Sequence, residues 1–275
     1  GGTLRVRVLE EGVHSGDASG VVPSSFRVLR QLLDRIEDPA TGRILIDPLY
    51  VDIPTERIDQ AKEASQVLGT AIYDKFPFLP GMQPLGRHLS DLVLNRTWRP
   101  TLSVTGAAGL PSLTDAGNVL RPYTSVKLSV RLPPTMDGER ASRLLKEALE
   151  KDPPYGSRVE FEVEKSATGW AAPATAGWLR ESVNEASRQY FGPRAAAMGE
   201  GGTIPFMNML QERFPAAQFV VTGLLGPKSN AHGPNEFLHI PTGKKLTASM
   251  AKVIHEHYVN RGGTQAEADA ASAVS

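Results

Sequence analysis

The sequence predicts an α/β protein with two domains. A chain of 275 residues is long enough for two domains of ordinary size. Over residues 3–165, hydrophobic periodicity gives the order strand, helix, strand, strand, helix, strand, apart from an insertion over residues 44–98. This order is the split βαββαβ pattern of a ferredoxin-like sandwich, in which two helices cover one face of an antiparallel sheet. From Gly169 the chain becomes rich in Trp and Ala, which indicates that a second domain follows.

Short periodic runs give the elements of the first domain. Leu4, Val6 and Val8 share one face of residues 3–10, which is typical of a half-buried strand. The other elements, in order, are a glycine-rich loop over 12–20, an amphipathic helix over 24–36 entered through Pro23 and Ser24, strands over 101–106 and 123–132, a helix from Asp137 to a stop at Pro153, and a strand over 157–165. The insertion contains a helix that begins near Pro54 without a capping residue, and a shorter helix over 86–98.

The second domain, expected over residues 166–260, is built mainly of helices. Thr203 stands at an N-cap position before an apolar run through Phe206, Met209 and Leu210. Further predicted elements are a helix over 169–192, a buried strand over 218–222 and a helix over 243–260. Residues 261–275 have no periodicity, and we expect a disordered tail there.

Composition argues against several classes of partner. The 30 basic residues balance the 30 acidic ones, so no nucleic acid partner is expected. The chain has no cysteine, which excludes disulfides and thiolate metal ligands and fits a reducing compartment such as the cytoplasm. No apolar run reaches transmembrane length and no signal peptide precedes Leu4, so no membrane partner is expected.

One histidine lies in a loop that directly follows the predicted strand over 218–222. The loop is rich in Gly, Pro, Ser and Asn, and α/β proteins often place their chemistry in loops after strand ends. His232 is therefore a candidate metal ligand, with Asn230, Asn235 and Glu236 as candidate supporting residues. The alternative is that its imidazole bonds a loop carbonyl.

Two motifs in this region resemble a known enzyme family. EGGTIP at residues 200–205 precedes NAHGPNE at residues 230–236. Together they resemble the end of the catalytic domain in co-catalytic di-zinc exopeptidases, a family that includes carnosinase-type dipeptidases, aminoacylases, glutamate carboxypeptidases and succinyl-diaminopimelate desuccinylases. In that family a ferredoxin-like lid, which is also the dimerisation domain, is inserted into the catalytic domain.

The resemblance implies a domain assignment for nearly the whole chain. Residues 1–165 would be the lid or dimerisation domain with a helical insertion, and residues 166–260 would be the C-terminal part of the α/β catalytic domain. The family's earlier metal ligands, a His-x-Asp motif, a bridging Asp and a Glu-Glu pair, have no counterpart in a matching context. We therefore expect the chain to carry only part of an active site and to be inactive alone.

The resemblance also implies roles for two lid residues that act across the dimer interface. His14, in HSGDASG, matches a histidine that reaches the partner subunit's active site and supports the oxyanion of the tetrahedral intermediate. Asn118, in AGNVLRP, matches a position that binds substrate across the interface. The alternatives are a turn histidine that caps the next helix, and ordinary turn chemistry for the asparagine.

The remaining implied site residues come from the same chain as the metal site. Arg131 matches the arginine that binds the substrate carboxylate, although it could be an exposed strand-end arginine. Glu200 matches an acidic residue that contacts the substrate's amino end, and His232 matches a ligand of the second zinc. The three residues of the motif that would let the backbone approach the substrate are Gly201, Gly202 and Thr203.

The function implied is zinc-dependent hydrolysis of a peptide or amide bond. Two zinc ions would share a bridging water and polarise the scissile carbonyl. The partners would be a small peptide or N-acyl amino acid substrate and a second copy of the chain in a homodimer. Two other functions stay open, an N-acyl amino acid deacylase or desuccinylase with the same machinery, and a non-catalytic dimerising fragment.

Overall fold

The computed structural model describes residues 1–200, 205–226, 229–231 and 233–272, in which strands lie only before residue 164. The strands are β1 (Gly2–Arg7), β2 (Val13–His14), β3 (Thr101–Ala108), β4 (Val119–Leu120), β5 (Tyr123–Arg131) and β6 (Arg158–Val163). The α-helices are α1 (Ser15–Ala18), α2 (Ser25–Ile36), α3 (Thr55–Leu68), α4 (Ala71–Asp74), α5 (Leu89–Thr97), α6 (Gly138–Glu150), α7 (Gly177–Phe191), α8 (Pro205–Arg213) and α9 (Ile240–Ser272).

A four-stranded antiparallel sheet has the order β3-β5-β1-β6. In the central strand, Leu4 pairs with Val126 of β5 on one side and with Phe161 of β6 on the other. Helices α2 and α6 follow β1 and β5 in the chain and contact the sheet. The predicted βαββαβ arrangement is therefore confirmed.

The main core lies between this sheet and the two helices. Its buried residues are Leu4, Val6, Val126, Leu128 and Phe161 from the strands and Val28, Leu29, Leu32, Ile36, Leu145 and Leu149 from the helices. Both helices begin where the sequence predicts. The Ser24 hydroxyl accepts a hydrogen bond from the Arg27 amide at 3.2 Å, and the Asp137 carboxylate accepts one from the Arg140 amide at 2.7 Å.

The helical insertion has a small core of its own, made by α3 and α5. Its buried members are Ala61, Val93, Leu94 and Trp98, and Met198 from the C-terminal region packs against them. Helix α3 follows Pro54 without a side-chain cap, as the sequence predicts. The insertion therefore contacts a segment of chain about a hundred residues away.

The C-terminal region, residues 166–272, departs from the prediction at several points. Helix α7 begins at Gly177, whereas the predicted helix spans residues 169–192. Residues 218–222 are not a strand, and Val220 and Val221 are 40% and 64% exposed. The prediction of a buried strand is wrong because a strand needs a neighbour for its backbone hydrogen bonds, and none of the described strands lies beside this segment. Helix α9 begins at Ile240 and continues to Ser272 through residues for which we expected a disordered tail. Alanine and glutamate favour helix in that stretch.

Helices α7 and α9 pack together through Leu179, Ala186 and Val253. No helix in the described ranges has the length and apolar character needed to cross a membrane.

The burial of α2 gives a prediction for the stability of the 275-residue chain. Val28 in α2 is 0% exposed, and Val28→Ala should lower the free energy of unfolding by about 2 kcal/mol because it empties part of the core. Val67→Ala is the matched control, since Val67 lies in helix α3 and is 68% exposed. Urea unfolding should show a change of less than about 0.5 kcal/mol for the control. Equal losses for the two variants would contradict the assignment of the core.

Candidate functional site

The structure brings His14 and Asn118 together. Strands β2 and β4 form a two-stranded antiparallel pair in which His14 lies opposite Val119. The Ser15 amide donates a hydrogen bond to the Asn118 carbonyl oxygen at 2.9 Å. The sequence predicts only a glycine-rich loop here, so this short pair of strands is an addition that places two predicted site residues side by side.

The imidazole of His14 is exposed and is fitted closely against a glycine. A Cβ atom at Gly16 would lie 2.7 Å from Cε1 and 3.1 Å from Nδ1 of His14, so no side chain fits at residue 16 with the ring in this position. His14 stands at the N-cap position of α1, but its side chain makes no capping hydrogen bond. Within the described ranges no residue bonds to the ring. Its nitrogen atoms can therefore form hydrogen bonds with a group that lies outside those ranges.

Arg131 and Glu200 lie on the wall of one cavity of about 740 Å³. The cavity is bounded by the end of β5, the segment over residues 164–175, the insertion and the segment over residues 218–221. His14 and Asn118 are not on its wall. The four predicted site residues that the structure describes therefore fall into two separate groups in this chain.

Basic side chains outnumber acidic ones on the cavity wall. The basic residues are Arg57, Arg96, Lys127, Arg131 and Lys165, and the acidic ones are Glu164 and Glu200. Such a wall favours an anionic group on the ligand.

Arg57 and Lys127 are among the basic residues that already bond to other groups of the protein. Arg57 donates to the Ala172 carbonyl oxygen at 2.6 Å and to Gln60 at 2.8 Å. Lys127 bonds to Glu164, and this hydrogen bond, with a second one from Thr3, lowers the pKa of the Glu164 carboxyl.

Arg131, by contrast, makes no side-chain hydrogen bond or ion pair with any residue that the structure describes, and it is exposed. It is the last residue of β5, and the backbone of Thr101 pairs with it. A guanidinium without a protein partner on a cavity wall can meet both oxygens of a ligand carboxylate.

Glu200 lies beside two cations. Its Oε1 accepts from Arg96 Nη2 at 3.4 Å. Lys75 is also within electrostatic range: burial lowers the pKa of its ammonium, Arg96 lowers it further, and Glu200 opposes the change. The carboxylate of Glu200 therefore lies in a positive environment.

Four predicted site residues, Gly201, Gly202, Thr203 and His232, lie outside the described residues, as does the predicted N-cap at Thr203. Near His232, the backbones of Asn230 and Asn235 adopt φ angles of 53° and 59°, and Asn230 Nδ2 donates to the Pro234 carbonyl oxygen at 2.6 Å. Across the described ranges no group of three or more His, Cys, Asp or Glu side chains could hold a metal ion. Those residues alone do not form a zinc site.

Sequence reasoning missed Arg96, Lys75 and Gly16. Arg96 and Lys75 lie in the insertion, far in sequence from Glu200, so periodicity gives no sign of their proximity. Gly16 follows His14 closely in HSG, and a glycine so near a candidate histidine was a usable signal of close packing.

Comparison with known proteins places these observations in a family. The model of the M20 peptidase dimerisation domain matches residues 2–157. A cysteinylglycine-S-conjugate dipeptidase of Corynebacterium striatum is 27% identical over 253 residues, which cover 86% of this chain and 50% of the relative. The chain thus spans about half the length of the curated relatives it matches.

Solved structures show the same fold. The dipeptidase Dug1p of Saccharomyces cerevisiae superposes with a TM-score of 0.69 at 21% identity, over 93% of this chain and 53% of that one. Human carnosine dipeptidase 1 gives a TM-score of 0.65 at 20% identity, over 93% of this chain and 54% of that one.

The packing of Gly16 against His14 gives a prediction for NMR. In Gly16→Ala the new Cβ displaces the ring, so the Cε1–H resonance of His14 should shift while those of the other five histidines stay in place. Gly117→Ala is the control, because a Cβ at Gly117 meets nothing within 4 Å. A His14 resonance that is the same in Gly16→Ala and in the unmodified chain would contradict the described ring position.

Proposed function

Because this chain belongs to the M20 peptidase family through its dimerisation domain, we propose that it forms part of a zinc-dependent dipeptidase. Residues 1–165 are the lid, and residues 166–260 are the C-terminal part of the catalytic domain. The similarity to a cysteinylglycine-S-conjugate dipeptidase supports a dipeptide substrate. The proposed activity belongs to the full-length protein that contains this chain, and its proposed location is the cytoplasm.

The cavity supports the choice of a dipeptide. Arg131 offers a guanidinium that no described residue pairs with for the C-terminal carboxylate, and Glu200 offers a carboxylate for the ammonium at the other end. A dipeptide carries both charges, whereas an N-acyl amino acid carries only the first. Glu200 therefore favours the dipeptidase over the deacylase.

The separation of the two groups of site residues is the observation that carries the proposal of a homodimer. Strand β5 has 9 residues, with Arg131 at its end and, just before its start, β4 and Asn118. At about 3.3 Å per residue, the ends of β5 lie roughly 26 Å apart. His14 and Asn118 are therefore too far from Arg131 to meet the same dipeptide, and a second copy of the chain supplies them instead.

In this arrangement each candidate site residue has a defined role. Arg131 binds and orients the substrate carboxylate, Glu200 binds its amino end, and Asn118 of the other subunit contacts the substrate. His14 of the other subunit donates to the oxyanion that forms at the scissile carbonyl. His232 is proposed as a zinc ligand from its motif, and zinc would supply the activated water.

The role of Arg131 is tested in the full-length protein with Arg131→Met. Loss of a charged hydrogen-bonding partner costs about 1.5–3 kcal/mol, so KM for dipeptides should rise by roughly 10- to 150-fold. A dipeptide amide, which lacks the carboxylate, should be nearly unaffected. Steady-state kinetics on the two substrates measure the difference.

Arg7→Met is the matched control, because Arg7 is also an exposed residue at the end of a strand but does not line the cavity. An equal rise in KM for the dipeptide and its amide would exclude the proposed contact. Hydrolysis of N-acyl amino acids without hydrolysis of dipeptides would replace the dipeptidase with the deacylase.

The action of His14 across the interface is tested by mixing inactive variants of the full-length protein. His14→Ala alone should lower kcat by roughly 10²–10³ through loss of an oxyanion donor. In a hybrid dimer of His14→Ala and Arg131→Met chains, one site carries both lesions and the other carries neither. At low substrate concentration, activity should return to about half that of the unmodified dimer, by counting intact sites under two-fold symmetry.

If His14 acted within its own chain, each site of the hybrid would carry one lesion. Confirmed subunit exchange without recovery of activity would therefore rule out action in trans.

A further inference from the structure

We infer that the helical insertion positions the substrate-binding segment of the second domain, with Arg96 of α5 as the positioning residue. The segment comprises residues 198–200, which lead into the Gly-Gly-Thr motif. This inference rests on the proposed function, because it gives Glu200 a specific orientation for the amino end of the substrate.

Arg96 contacts two residues of the segment. Its Nη2 donates to Met198 Sδ at 3.5 Å and to Glu200 Oε1 at 3.4 Å. The Arg96 side chain is only 30% exposed, so burial restricts its position. One guanidinium therefore holds the segment on both sides of Gly199.

Gly199, between those two residues, lies directly against α5. A Cβ atom at Gly199 would lie 3.2 Å from both Cβ and Cγ2 of Thr97, which is tighter than ordinary contact. Thr97 is itself buried, and its hydroxyl donates to the Val93 carbonyl oxygen at 2.7 Å. The helix surface at Thr97 cannot easily move away, so the absence of a side chain at Gly199 allows the close approach.

The insertion holds the segment at two further points. Met198 packs against the core cluster of the insertion, formed by Ala61, Val93, Leu94 and Trp98. Upstream, Arg194 forms an ion pair with Glu63 of α3 at 2.6 Å. Contacts along residues 194–200 therefore join this stretch to the insertion.

The contact to Oε1 has a consequence for the other oxygen of Glu200. A carboxylate has about four lone-pair sites on its two oxygens, and Arg96 occupies one side of the group. No described residue bonds to Oε2, so this oxygen can accept from a ligand ammonium. Because the carboxylate is already oriented, less rotamer freedom is lost when the substrate binds.

The contact is tested first without any assay of activity, by hydrogen exchange of the 275-residue chain. Arg96→Met and Gly199→Ala should each speed exchange in a peptide that covers residues 194–200, and peptides from α2 and α6 should stay unchanged. Arg99→Met is the matched control, because Arg99 lies two residues after the end of the same helix and bonds to Asp91 at 3.1 Å and to Asn95 at 2.8 Å. Equal exchange in Arg96→Met and Arg99→Met overturns the inference.

The consequence for substrate binding is tested by kinetics of the full-length protein. Arg96→Met should raise KM for a dipeptide by about tenfold, an effect expected for the loss of one orienting contact. The desamino analogue of the same dipeptide, which lacks the ammonium, should show almost no change in KM. The double variant Arg96→Met/Glu200→Gln should raise KM for the dipeptide little more than Glu200→Gln alone does, because the two residues act as a unit.

A merely structural role would lower kcat for both substrates alike, and that result overturns the inference. If the full-length protein hydrolyses no dipeptide, the proposed function fails, and hydrogen exchange still decides whether α5 holds the segment.

Discussion

The position of β1 between β5 and β6 is the constraint on which the rest of the structure depends. Leu4 and Val6 of β1 are fully buried, and their backbone groups are paired on both sides of the strand. This pairing fixes the register of β5, which carries Arg131 at one end and follows β4 at the other. Strand β1 thus anchors the core, and the length of β5, which pairs with it, sets the distance between the two groups of candidate site residues.

The charges on the cavity wall differ in how far the protein itself neutralises them. Arg57 and Lys127 contact carbonyl or carboxylate oxygens and contribute to the packing of the segment after β6. Arg131 has no such side-chain contact within the described ranges, and a solvated cation can exchange water for a ligand carboxylate at low cost. Under the proposed function, the opposite signs at Arg131 and Glu200 would also give a bound dipeptide a direction.

The sequence predicted the ferredoxin-like region well because its signals are local. Alternation in residues 3–10 and 123–132 and the caps at Ser24 and Asp137 each depend on a few neighbouring residues. The strand predicted over 218–222 failed because a strand depends on a neighbour that periodicity does not reveal.

The candidate site likewise contains residues that local sequence motifs predict and contacts that only the fold reveals. His14 and Asn118 were found from motifs, but their adjacency needed the pairing of β2 with β4. No sequence motif identified Arg96, because its contact with Glu200 joins two residues that lie far apart in the sequence.

The two ends of the ferredoxin-like region lie side by side. The Gly1 amino group donates to the Lys165 carbonyl oxygen at 2.7 Å, and the Glu164 amide donates to the Gly1 carbonyl oxygen at 3.0 Å. A unit whose entry and exit points are joined by hydrogen bonds can sit within a loop of a host domain without stretching it.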